Sequence, residues 1–223
     1  MKKSTLKKLV AFILVTAIAI QGSQGSSISN AASNGLIYLF GIHEFENGMD
    51  KGHSDFCNWM GKTEKNYKTI DSTVTIGKRH YAGKGALYSA MKKANYLMIS
   101  THGAAGLLGL NAQDGTHSQL KNKTIEDGAN LGQLRLCHII ACYSFDTANT
   151  MKMKGAQTTI GYRFALGIKT GRIVQYYFNY YFSKGKCAED AIRLAVDKAY
   201  SKQGAYYGLD SYEVLGSKRA VYY

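Results

Sequence analysis

Two apolar runs decide the fold: YLMISTHGAAGLLGL, residues 96–110, and LCHIIACYS, residues 136–144. Each opens with five or six apolar or β-prone residues, too few for a helix and enough for a strand. Neither alternates polar with apolar, so each predicts a strand covered on both faces, as in a parallel sheet flanked by helices. Each then stops abruptly, the first at Thr101-His102-Gly103 and the second at Ala141-Cys142. In an open parallel sheet, ligands bind just beyond the carboxyl ends of the strands. Adjacent strands lie about 4.8 Å apart. If these two are neighbours, the sequence puts an imidazole and a thiol side by side at the edge where chemistry is done.

The rest of the chain supplies the same alternation. Leu36–Ile42 reads as a first buried strand, Thr73–Ile76 as a short one, Leu134–Ala141 as the strand carrying the thiol and Ala156–Tyr162 as the next; Ser211–Leu215 is the last, with Ala220–Tyr222 a small return strand. Helices are predicted from about Ser54 through Met60, over Lys84–Ala94, from an Asp146 or Thr147 cap to Lys154, from a Thr170 cap to Phe182, and over Ala188–Ser201. In the last of these, Ala188, Ala191, Ile192, Ala195, Val196 and Ala199 form one apolar stripe. Strands alternating with helices give right-handed βαβ units. The expected fold class is α/β, a three-layer αβα sandwich around a mostly parallel sheet of about six strands.

The 223-residue chain opens with Lys2, Lys3, Lys7 and Lys8, an apolar run of 12 residues from Leu9 to Ile20, and small polar residues up to Asn34. That is the layout of a secretory signal, and the apolar run falls short of the roughly 20 residues a membrane span needs. Residues 1–33 are therefore expected to be a signal peptide and linker, and residues 34–223 one domain. The protein is expected to be secreted or surface-associated, with no transmembrane segment in the mature chain. The leader holds four of the 28 basic residues and none of the 15 acidic ones. The mature chain remains strongly positive, which suits an anionic cell-envelope surface. The basic residues are scattered, without the dense block expected of a nucleic-acid site.

The residue types fit nucleophilic catalysis. A thiolate attacks a carbonyl, the histidine protonates the leaving amine, and the same histidine then activates water. Gly103 lets its backbone N–H approach a substrate, and the Cys142 N–H completes an oxyanion hole. If Cys142 is a free nucleophile, Cys57, Cys137 and Cys187 allow at most one disulfide. Cys137 and His138 lie inside the strand and read as core.

At LMISTHG and HIIAC, with His102 and Cys142 separated by 40 positions, the sequence resembles the caspase-like cysteine peptidases, a group that includes caspases, legumain, clostripain, gingipains and CHAT domains. KGAQTTIGYRF resembles the strand after the cysteine in that group. YEVLGSKRAVY resembles its terminal segment, with Ser217-Lys218 where the family usually has Asp-Pro. The resemblance implies a Cys-His dyad without a metal or other cofactor, and endopeptidase action on a protein or peptide substrate. It also implies that Glu44 or His43, just past the first strand, steadies the histidine, and that the segment Lys51–Asp55 lies where relatives carry substrate-pocket residues. By its residue type, Asp55 also suits a helix N-cap. Asp146 in the P1 pocket would favour a basic residue and Arg163 an acidic one; the sequence leaves both open. His43, His53 and Cys57 are an alternative zinc set. A polar stretch around Lys121-Asn122-Lys123 is a candidate self-cleavage loop. Two rivals share the fold: a binding module that has lost catalysis, and an acyl-transferring or ester-cleaving enzyme using the same dyad.

Overall fold

The computed structural model describes residues 35–42, 51–112, 114–204 and 208–222. Strand β1 (Leu36–Gly41) leads to helix α1 (Lys51–Ile70) and strand β2 (Thr75–Arg79), followed by α2 (Lys84–Lys93) and β3 (Tyr96–Ser100). A small sheet of β4 (Gly103–Ala104), β5 (Leu107–Asn111) and β6 (His117–Lys121) comes next, then α3 (Asn122–Gly128) and β7 (Leu136–Ile140). The chain ends through α4 (Phe145–Met153), β8 (Thr158–Tyr162), α5 (Ile168–Ser183), α6 (Ala188–Gln203) and β9 (Tyr212–Gly216).

The main sheet has six strands in the order β2-β1-β3-β7-β8-β9. The first five run parallel and β9 pairs antiparallel with β8. Every residue of β3, β7 and β8 is buried. The alternating side chains of these strands feed two separate cores. Ile37, Leu39, Tyr96, Met98, Leu136 and Ile140 pack with Met60 and Tyr67 of α1, Phe178 and Phe182 of α5, and the α6 stripe. Phe40, Leu97, Ile99, Cys137 and Ile139 pack with Leu87 and Met91 of α2, Ile125 of α3, Met151 of α4 and Leu108, Leu110 and Leu120 of the small sheet. This is the three-layer αβα sandwich expected. All six residues of the predicted α6 stripe are buried. The tyrosines of α5 serve the same packing: Tyr176 meets Trp59 edge-on at 5.0 Å, and Tyr177 and Tyr181 pack against the first core.

Several local expectations change. Helix α1 begins at Lys51, so Asp55 lies inside it and cannot cap it. Helix α4 is preceded by Ser144, not Asp146 or Thr147. Helix α5 starts at Ile168 after Gly167, and Thr170 Oγ1 donates to Gln203 Oε1 at 3.0 Å instead of capping. In each case the helix starts ahead of the polar residue expected to cap it. Residues 220–222 form no strand; Tyr222 is buried, in ring contact with Tyr67, Tyr96 and Phe182. Lys121-Asn122-Lys123 is not a loop. Lys121 pairs with Leu107 and Asn122 opens α3.

Candidate active site

The site follows from the register of β3 and β7. They are adjacent and parallel, with Ser100 opposite Ile140. The ladder continues past both strands, since Thr101 N–H donates to Ile140 O at 3.0 Å. Two residues beyond that aligned pair stand His102 and Cys142. The expected neighbourhood of the two strands is therefore present, and both residues lie on the same rim of the sheet. His102 is exposed and Cys142 half-buried.

Gly103 shows how close the two strand ends come. A methyl group built there would lie 2.5 Å from Cys142 O and 2.9 Å from Ala141 Cβ. Only hydrogen fits in that gap, so the glycine lets the chain after His102 rest directly on the Cys142 peptide. Gly103 stands opposite Leu108, and Gly109 N–H donates to His102 O at 2.9 Å. That bond makes Gly103–Leu108 a non-hydrogen-bonded pair, so the Gly103 N–H points away from β5. A turn of the small sheet thus holds the His-Gly segment. Thr101 Oγ1 donates to Gly109 O at 2.5 Å and ties the same turn down.

The sulfur of Cys142 meets the loop after β8. Leu166 N–H donates to Sγ at 3.3 Å, and Sγ lies 3.6 Å from Leu166 O. One residue therefore offers a donor to a thiolate and an acceptor to a thiol. Gly171 backs this contact: a methyl there would lie 2.5 Å from Ile140 Cγ2 and 3.1 Å from Leu166 Cδ2. The turn after Cys142 is strained. Tyr143 has φ +53°, the one positive φ outside glycine among the described residues. Ser144 anchors this turn. Its hydroxyl donates to Ile139 O at 3.0 Å and accepts from Tyr162 N–H at 3.0 Å.

The remaining sequence candidates divide. Asp146 is exposed in the first turn of α4. Arg163 is committed elsewhere: its Nε donates to Glu213 Oε1 at 2.9 Å, and its guanidinium lies 4.0 Å from the centre of the Phe145 ring. His43 and Glu44 fall outside the described residues, as do the side chains of His53, Asp55 and Cys57. Among the described residues no cluster of His, Cys, Asp or Glu is arranged to hold a metal. Cys137, Cys142 and Cys187 are free thiols. Cys137 and His138 are fully buried, and burial pushes the thiol up and drives the imidazole down to about 3. His138 Nε2 lies 3.2 Å from Tyr162 Oη, and its ring packs edge-on against Phe178. It is a neutral core residue in the folded protein. Sequence reasoning missed the small sheet, Leu166 and Ser144. Leu166 acts through its backbone and carries no signal in its side chain; the Gly103–Gly106–Gly109 spacing marks the turn of the small sheet.

No protein-family model and no curated protein matches the sequence. Among solved structures the chain is similar to the Arg-specific cysteine proteinase gingipain R, with a TM-score of 0.57 and 12% identity over 84% of this chain and 46% of that one. It is similar to the complex of Porphyromonas gingivalis RgpB pro- and mature domains, at TM-score 0.57 and 14% identity over 84% of this chain and 48% of that one. The Drosophila initiator caspase Dronc matches at TM-score 0.49 and 9% identity, over 84% of this chain and 81% of that one. The chain spans less than half the length of the gingipain chains. The fold is that of the caspase-like cysteine peptidases.

Proposed function

We propose that this protein is an exported cysteine endopeptidase in which Cys142 is the nucleophile and His102 the general acid and base. The observation that carries this reading is the register of β3 on β7, with Gly103 seated on the Cys142 peptide, because it sets one imidazole-bearing strand end against one thiol-bearing end. The Cys142 thiolate adds to the scissile carbonyl carbon, and the negative charge moves to its oxygen. The Gly103 and Cys142 amides receive that charge. Collapse breaks the C–N bond, and His102 gives its proton to the departing amine. His102 then takes a proton from water, whose oxygen adds to the thioester carbonyl; the C–S bond breaks, the carboxylic acid leaves, and the Cys142 thiolate is restored beside a protonated His102. By the resemblance, Glu44 or His43 would orient His102 in this scheme. Between the two P1 candidates, Arg163 already has its charge neutralised by Glu213, which favours Asp146 and hence a basic P1 residue.

Export rests on the leader-like layout of residues 1–33. Among the described residues no helix is long and apolar enough to cross a membrane. The excess of positive charge supports residence at an anionic cell-envelope surface.

The test joins a thiol-reactive peptide probe to a cleavage profile. Selective labelling of Cys142, its loss in His102→Ala, and peptide cleavage absent from Cys142→Ala are the expected results. Equal labelling of wild type and His102→Ala would instead identify a binding module without catalysis. A reactive Cys142 that cleaves no peptide would point to acyl transfer or ester hydrolysis.

A further inference from the structure

The geometry points to Tyr143, the exposed residue that follows Cys142 in an anchored turn, as a specificity-determining residue that contacts an apolar side chain flanking the scissile bond. This rests on the peptidase reading above and adds a substrate class to it. Three observations converge on that one side chain: its backbone conformation, the anchoring of its turn and its exposure. Tyr143 immediately follows the nucleophile and adopts φ +53°, a left-handed conformation that a bulky aromatic residue rarely takes and glycine takes freely. Strained backbone of this kind persists only where its surroundings enforce it. Here they do: Tyr143 N–H donates to Phe164 O at 3.2 Å, and Ser144 Oγ is stitched to Ile139 and Tyr162 on the two strands beneath. Gly161 admits this arrangement, since a methyl there would lie 2.7 Å from Ser144 O.

Tyr143 is 45% exposed, one of four large apolar or aromatic residues so placed among the described residues. Ile70 and Met153 end helices, where fraying exposes side chains; Phe164, 47% exposed, lies in the loop after β8 and accepts the Tyr143 N–H through its carbonyl, so the two exposed rings border one turn. Tyr143 differs from all three in its backbone, with the one positive φ outside glycine among the described residues, and it sits in a well-anchored turn. A glycine would relieve the strain and expose less apolar surface. An exposed aromatic residue that directly follows the proposed nucleophile, kept at a cost to the backbone, matches a contact with substrate. The ring presents an apolar face, so the complementary group is an apolar or aromatic side chain one or two residues from the bond cleaved.

The test compares two peptide sets in the purified protein, identical except for leucine or alanine at the positions flanking the cleaved bond. Tyr143→Gly should melt at or a few degrees above wild type, because the strain is released. Its preference for leucine over alanine in kcat/KM should fall by about 10-fold or more. Tyr143→Phe should keep the preference. Should Tyr143→Gly fold poorly, Tyr143→Asn serves instead, since asparagine tolerates the left-handed region. An unchanged leucine preference in the glycine or asparagine variant overturns the assignment, and so does its loss in Tyr143→Phe. A wild-type protein that cleaves neither set overturns the peptidase reading beneath it, which is a different failure.

Discussion

Replacing Gly103 by alanine tests the geometry on which the site depends. The added methyl carbon would stand 2.5 Å from Cys142 O and 2.9 Å from Ala141 Cβ. Carbon contacts relax near 3.5–4.0 Å, so one strand end must give by roughly 1 Å. Neither side can do so by rotating a side chain, because the obstacles are a backbone carbonyl and a methyl fixed to the backbone. Overpacking of this kind costs about 1–3 kcal/mol. In a domain of this size each kcal/mol lowers the melting temperature by about 2–4 °C. The functional loss should be larger in proportion. A displacement of about 1 Å between His102 and Cys142 costs on the order of 100-fold in rate. Gly61→Ala is the matched control. That glycine lies in α1 with nothing within 4 Å of the added carbon, so alanine should stabilise the protein by about 0.5–1 kcal/mol. Differential scanning fluorimetry and kcat/KM on one peptide, run on both variants, decide the matter. If Gly103→Ala melts and cleaves as wild type does, the chain after His102 does not rest on the Cys142 peptide and the dyad geometry is wrong.

Four other variants probe the core and the pocket. Burial holds His138 at about 3 in the folded state against 6.5 for an unperturbed imidazole, so the unfolded chain binds the extra proton as pH falls below 6.5. Stability should therefore decline on acidification, by at most about 1.4 kcal/mol per pH unit between those values, and urea titrations at pH 7 and pH 5 should show a smaller difference in His138→Gln. Tyr222→Ala removes ring contacts to Tyr67, Tyr96 and Phe182 and should cost about 3 kcal/mol by urea denaturation; a change below about 0.5 kcal/mol would mean the ring is not part of the core. Arg163→Ala breaks an exposed ion pair with Glu213 and should change stability by less than about 1 kcal/mol. The same variant should leave the P1 profile unchanged, whereas Asp146→Asn should weaken cleavage after basic residues; the reverse pattern would hand the P1 pocket to Arg163.

Much of the fold was legible in local composition. The mainly apolar runs of β1, β3 and β7 and the β-prone run of β8 marked buried strands, and the α6 stripe marked the face that is buried. His102 and Cys142 stood out because each ends such a run. Helix starts were less legible. Asp146 and Thr170 have the side chains of good caps, yet Ser144 and Gly167 precede the helices. The small sheet was missed because β4 has two residues and glycines interrupt the apolar pattern of β5.

Periodicity along the chain thus carried the class of fold and singled out the two residues proposed as the dyad, since burial on both faces and an abrupt strand end are properties of neighbours in sequence. Which strands lie side by side is not such a property. The pairing of Ser100 with Ile140, the seat of Gly103 on Cys142, the Leu166 amide at the sulfur and the capture of Arg163 by Glu213 all join residues at least 24 positions apart. Contacts of that range are set by how whole layers pack, and no short window of sequence contains them.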